Sequence, residues 1–202
     1  MIAIIDYGVG NLYNLKNALD YQQLDCRIVN DPEQLEAASH VILPGVGAFR
    51  PAMDQFLAAG MEEVLRGHVA AAKPFLGICV GMQLMFEQSE EDGLHQGLGL
   101  LGGRVVRFQH ELKIPQIGWN QVAVQREDPL LEGIADGSYF YFVHSYYARL
   151  NDPTDALGLT EYGEMFPAIV SRRNMWGVQF HPEKSQDPGL RLLKNFAALK
   201  PE

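Results

Sequence analysis

Short apolar runs alternate with helical stripes through the first half of the chain, and this alternation limits its fold more than any other feature. Ile2–Ile5, Cys26–Val29, Val41–Leu43 and Phe75–Ile78 read as strands. Between them, Leu12, Leu15 and Leu19 recur at helical spacing. Met53, Phe56, Leu57, Met61, Val64 and Leu65 supply the apolar stripe of one further helix, with Pro51 placed to open it. Ile2–Ile5 is apolar throughout, as a strand covered on both faces requires. Strands separated by helices pair in parallel, because the crossover carries the chain back to the same edge. The expected fold is α/β: an open, mostly parallel sheet with helices on both faces, as one domain over residues 1–202.

The second half is less regular. Met82–Glu87 continues as helix, Arg104–Gln125 is strand-like, and Tyr139–Tyr147 reads as one aromatic-rich strand. Ala168–Ser171 and Trp176–Phe180 form a final strand pair, and Leu190, Leu193 and Ala197 mark a closing helix. There is no repeat, low-complexity tract or linker. A net charge of −9 argues against a non-specific grip on nucleic acid, which needs Lys and Arg to displace counterions. No apolar run approaches the ~18 residues of a membrane span. The N-terminus lacks the basic segment of a signal peptide. With only two cysteines, Cys26 and Cys79, a disulfide scaffold is not expected, and a reduced cytoplasmic setting is.

The sharpest local feature is FLGICVGMQLMF, residues 75–86. Gly77, Cys79 and Gly81 form a G-x-nucleophile-x-G elbow with Cys in the nucleophile position. A strained strand-to-helix turn lifts the side chain out, and small neighbours let the chain pack closely around it. The helix N-terminus favours thiolate over thiol, and the Val80 N–H points into the same space, where it can hold an oxyanion. Cys26, in DCRIV, has no such turn and reads as core.

A nucleophilic cysteine needs a base, and the base an orienting group. GVQFHPEKS, residues 177–185, offers both. In an extended segment His181 and Glu183 point to one side, so the carboxylate can hold one ring nitrogen while the other faces the thiol. His144 lies in a tyrosine-rich strand without a nearby carboxylate and reads as a lining residue. His40, His68, His95 and His110 read as surface or loop residues. No His/Cys set has metal-ligand spacing, so neither a metal nor a cofactor is expected. DYGVGN, residues 6–11, is half of a dinucleotide fingerprint, but the third glycine position is Tyr13. LPGVGAF, residues 43–49, follows the third strand, where its peptides can give a second oxyanion N–H.

GICVGMQ and GVQFHPE together resemble the nucleophile turn and the base segment of the class I glutamine amidotransferases. DYGVGNL, LPGVGAF, IPQIGWN, YFVHSYYA and FHPEKS are similar, in order, to one branch of that family, the glutaminase subunits of imidazole glycerol phosphate synthases. The resemblance runs from residue 6 to residue 185; Val80 stands where the family commonly has leucine. It implies a flavodoxin-like fold and a Cys79–His181–Glu183 triad that hydrolyses glutamine through a cysteinyl thioester. It implies oxyanion N–H groups from Val46 and Val80, and substrate contacts from Gly47, Gln83, Ser145 and Tyr146. It also implies a heterodimer with a (β/α)₈ barrel synthase subunit, which takes the ammonia for histidine biosynthesis. Asn11, Trp119, Asn120, Tyr141 and Lys184 are the implied interface residues. Three readings compete: a glutaminase feeding another synthase, such as that of pyridoxal phosphate; a cysteine hydrolase on the same fold acting on peptides or γ-glutamyl conjugates; and a non-catalytic regulatory subunit that kept the fold.

Overall fold

Every residue of the four strands Ile2–Ile5, His40–Gly45, Phe75–Cys79 and Met175–Val178 is buried. A strand buried along its whole length has both faces of the sheet covered, and helices do the covering here. The structure is a computed structural model and describes residues 1–200. β1 (Ile2–Ile5) leads through α1 (Leu12–Tyr21) to β2 (Cys26–Val29), and α2 (Pro32–Glu36) leads to β3 (His40–Gly45). Two helices, α3 (Phe49–Ala58) and α4 (Glu62–Ala70), precede β4 (Phe75–Cys79), and a short α5 (Val80–Leu84) follows it. The remaining strands are β5 (Phe86–Ser89), β6 (His95–Gln96), β7 (Leu101–Arg107), β8 (Gln116–Val124), β9 (Ser138–His144), β10 (Tyr146–Leu150), β11 (Ala156–Glu161), β12 (Met165–Arg172) and β13 (Met175–Val178). Helix α6 (Gln186–Ala198) closes the described chain.

The large sheet has the order β2-β1-β3-β4-β13-β12-β11-β8-β9. Its first five strands pair in parallel and hold the expected α/β core. From β13 onward the pairs are antiparallel. A second sheet, β10-β7-β5-β6, packs beside it. Helix α1 lies against α6, α2 against α4, and α3 against α5.

The structure redraws three elements. The stripe from Met53 to Leu65 is two helices, because Gly60 turns the chain at φ +68° after Ala58. Helix α3 begins at Phe49, so Pro51 is its third residue, still in the first turn where a missing N–H costs nothing. The helix expected over Met82–Glu87 ends at Leu84, since Phe86 leaves to pair with Leu101 in the second sheet. The Tyr139–Tyr147 segment is two strands: β9 pairs with β8 and, past Ser145, β10 pairs with β7. Periodicity cannot show which sheet takes a strand. Two histidines assigned to the surface are buried. His68 sits in α4 with Nε2 3.0 Å from the Pro74 carbonyl, and His40 opens β3 with Nε2 2.9 Å from the Leu199 carbonyl. A backbone acceptor lets each neutral ring sit in the core.

Candidate active site

Three parallel strands end at the same edge, and their last residues meet there. Gly45 of β3 is the register partner of Cys79 of β4, and Val178 of β13 pairs with Ile78. Open α/β sheets place function at such carboxyl ends because the loops there diverge around a crevice. Cys79 is held at φ 55°, ψ −113°, a strained conformation for a residue with a side chain. The glycines beside it are obligatory. A Cβ on Gly81 would lie 1.9 Å from the Leu43 carbonyl oxygen, and one on Gly77 would lie 2.8 Å from the Gly81 oxygen. The turn therefore closes against β3 only with bare backbone at both positions.

The segment after β13 arrives from the other side. His181 donates its backbone N–H to the Tyr141 carbonyl (3.0 Å), and Ser185 Oγ donates to the His181 carbonyl (2.6 Å) and accepts from the Tyr141 N–H (3.0 Å). Phe180 stacks on Phe140 at 4.0 Å between centroids. These contacts bolt the turn to β9. His181 Nδ1 lies 2.9 Å from Glu183 Oε1, both side chains being buried, which leaves Nε2 for Cys79. Burial alone would lower the His181 pKa. The hydrogen bonds and charges of Cys79 and Glu183 outweigh it and raise the value to about 10.

A cavity of about 280 Å³ opens over this pair, in the lower range of small-ligand sites. Eight of the nine residues expected around the reaction line it, Val46, Gly47, Cys79, Val80, Gln83, Ser145, Tyr146 and His181, and the ninth, Glu183, stands behind the last. Sequence reasoning missed Glu91, Pro115 and Val143, which also line it. Glu91 stands in SEEDG, which reads as a solvated run. In the fold its carboxylate accepts the Phe49 N–H at 2.7 Å, and burial raises its pKa. Tyr7 of DYGVGN is a second addition: its hydroxyl donates to the Pro44 carbonyl at 2.8 Å, so that glycine turn braces the PGVG loop. Among the described residues no group of three or more His, Cys, Asp or Glu is arranged to hold a metal.

His144 lines the cavity as its surroundings suggested, without a carboxylate. Nδ1 is 2.8 Å from the Tyr146 carbonyl and Nε2 2.9 Å from the Gln116 side-chain amide. Burial lowers its pKa to about 4. A folded pKa below the unfolded 6.5 means that the unfolded chain binds the proton first as pH falls. The stabilisation from neutral His144 is thus present above pH 6.5 and lost as pH falls toward 4. Relative to His144→Gln, the wild-type chain is expected to lose up to about 3 kcal/mol between pH 7 and pH 4. Urea unfolding of both chains across that range checks this; a constant difference would contradict it.

The profile of the family described as Glutamine amidotransferase class-I matches residues 3–199. The chain belongs to that family. As a class I glutamine amidotransferase it hydrolyses glutamine. It is 47% identical to the imidazole glycerol phosphate synthase subunit HisH of Syntrophotalea carbinolica, over 97% of this chain and 98% of that protein. It is 51% identical to the subunit of the same name from Herpetosiphon aurantiacus, over 98% and 94%. Relatives at this identity and coverage put the amidotransferase in the HisH group. Solved structures share its fold at lower identity. One described as a glutamine amidotransferase has a TM-score of 0.77 at 21% identity, covering 98% of this chain and all of that one. The PurLQS structure from Thermotoga maritima has 0.77 at 16%, covering 98% and 97%. No described helix is long and apolar enough to cross a membrane.

Proposed function

We propose that this amidotransferase is the glutaminase subunit of an imidazole glycerol phosphate synthase, with Cys79, His181 and Glu183 carrying the hydrolysis. One observation carries this reading: a strained cysteine turn and a carboxylate-held imidazole share the wall of one cavity. Cys79 sulfur adds to the carboxamide carbon of glutamine, and the oxygen takes the charge. The N–H groups of Val46 and Val80 hold that oxyanion. His181 gives its proton to the departing nitrogen, and ammonia leaves a glutamyl thioester. The now neutral His181 takes a proton from water, whose oxygen attacks the thioester. Glutamate and the cysteine are released. Glu183 keeps the ring oriented and stabilises its charged form. Both Nε2 protons of Gln83 are used, toward the Tyr146 carbonyl (3.0 Å) and Gln179 Oε1 (3.1 Å). Its free oxygen, with the Glu91 carboxylate, suits the α-ammonium of the substrate. Gly47, Ser145 and Tyr146 supply backbone groups around the amino-acid end.

The synthase subunit, a (β/α)₈ barrel on this reading, would seat on the face around Trp119. That ring is 46% exposed, stands edge-on to Tyr141 at 6.0 Å, and the Lys184 amine lies 5.7 Å over the Tyr141 ring. Asn120 is beside them, tied to the Glu161 carbonyl at 2.8 Å. Asn11 starts α1, which touches the Pro182–Lys184 turn, and its side chain makes no cap hydrogen bond. We place the complex in the cytoplasm, where Cys26 and Cys79 stay reduced. A complete triad in one cavity argues against a purely regulatory subunit, and the HisH relatives favour this synthase over the pyridoxal phosphate one.

A glutamine-like ε-diazoketone is expected to alkylate Cys79 and spare Cys26. Cys26 has no activating partner, and burial, then Asp20, push its pKa up to about 11. Peptide mass mapping reads the site. Label on Cys26 alone would remove the nucleophile assignment.

A further inference from the structure

Gln179 lies behind the cavity wall, between Cys79 and Gln83, fully buried, two residues before His181. Its Nε2 is 3.8 Å from Cys79 Sγ and its Oε1 3.1 Å from Gln83 Nε2. Which end of a side-chain amide carries the nitrogen is normally an assignment, but here the surroundings dictate it. The Tyr146 carbonyl can only accept, so Gln83 must turn its NH₂ toward it at 3.0 Å. The other proton of that NH₂ then meets Gln179, which must present its oxygen. The Gln179 NH₂ is left facing the sulfur. His144 fills the second lone pair of the same carbonyl, through Nδ1 at 2.8 Å. Gln83 therefore donates both ways, and from Gln83 through Gln179 to Cys79 the donors run in one direction. A buried amide with this orientation is costly unless its N–H has an acceptor, and the sulfur is the acceptor it meets.

We infer that Gln179 is a further catalytic residue, its side-chain N–H donating to the Cys79 sulfur and stabilising the thiolate that attacks glutamine. A donor aimed at a charged sulfur favours that form over the thiol in a site that excludes water. As carbon bonds to the sulfur, the negative charge moves to the carbonyl oxygen and the Gln179 bond weakens; it is restored when the thioester is hydrolysed. The same amide couples the nucleophile to Gln83, so one side chain sets both the sulfur and the group that meets the substrate. This inference rests on Cys79 being the nucleophile.

The test is Gln179→Met, which removes the donor at similar volume, with Gln179→Glu as a second variant of the same shape. The full chain is used alone for alkylation and with its synthase subunit for turnover. Iodoacetamide is the probe, and mass mapping separates Cys79 from Cys26. The groups that face Cys79 and can titrate with it are His181 and Glu183 from the turn after β13, Tyr7 after β1, His144 of β9 and Glu91 of the cavity wall; all are unchanged in the variants. Both variants are expected to slow Cys79 alkylation about tenfold at pH 7, with the rate recovering at higher pH. The kcat for glutamine is expected to fall by a similar factor, with KM changed less than about threefold in Gln179→Glu, which keeps an acceptor for Gln83. Gln83→Met is the comparison: it is expected to raise KM and, since it leaves the Gln179 amide in place, to slow Cys79 alkylation less than either Gln179 variant does. If the Gln179 variants, folded by circular dichroism, only raise KM and keep the wild-type alkylation profile, Gln179 is a prop for Gln83 and the inference fails. If Cys79→Ala keeps glutaminase activity, the nucleophile assignment fails instead.

Discussion

Cys79→Ala is expected to abolish glutamine-dependent synthesis by the complex, by a factor of about 10⁴ or more, while ammonium salts still support the reaction. The size follows from the role. Without the sulfur there is no covalent intermediate, and no nearby group can replace it: Ser145 lies on the cavity wall, but His181 is directed at position 79 by Glu183. The variant is expected to fold. Alanine must still adopt φ 55°, but Cys79 already carries that strain, so the substitution adds none. Assays with glutamine and with ammonium chloride, on complexes shown to be assembled, check the prediction. If the ammonia-dependent rate fell as far as the glutamine-dependent rate, generation and use of ammonia would not be divided between the two subunits.

The second large effect concerns control. The partner-free chain is expected to hydrolyse glutamine slowly, and the synthase subunit with its acceptor bound is expected to raise kcat by about 10²–10³, more than it lowers KM. That factor is what one missing oxyanion donor typically costs. The PGVG loop is where such a donor can be withheld. Tyr7 fixes the Pro44 carbonyl at 2.8 Å, and Gly45 is wedged so tightly that a Cβ there would lie 2.7 Å from the Gly81 nitrogen. Beyond Gly45 the loop is free. Val46 is 39% exposed, and Gly47, at φ +85°, has nothing within 4 Å of where a Cβ would be. The peptides around Val46 can therefore rotate and present either a carbonyl or an N–H. Partner and acceptor binding would favour the N–H-in state only by binding it better. Gly47→Pro forces φ to about −65° in place of +85° and is expected to remove most of the activation. Full activity in the partner-free chain would defeat this mechanism without touching the triad.

The local chemistry was open to reading because it depends on neighbours in sequence. A glycine-flanked cysteine between an apolar strand and a helix can only be a tight turn, and His181 and Glu183 meet across one intervening residue. Strand Ile2–Ile5 was legible for the same reason, since a continuous apolar run needs cover on both faces. The histidines were not: His40 and His68 are polar by composition and buried only because a carbonyl from Leu199 or Pro74 meets each ring. Nor was Glu91, whose acidic run looks solvated until the fold brings Phe49 to it.

The sequence by itself determined the glycine-flanked cysteine turn, the pairing of His181 with Glu183, and the parallel core that carries them. Only the tertiary structure decided what surrounds them: the split of Tyr139–Tyr147 between two sheets at Ser145, the bracing of Pro44 by Tyr7, and the amide chain from Tyr146 through Gln83 and Gln179 to Cys79. Turns and periodicity are encoded within a few residues. Hydrogen bonds between groups 37 to 100 residues apart exist only once burial has stripped water from both partners and left each with the other.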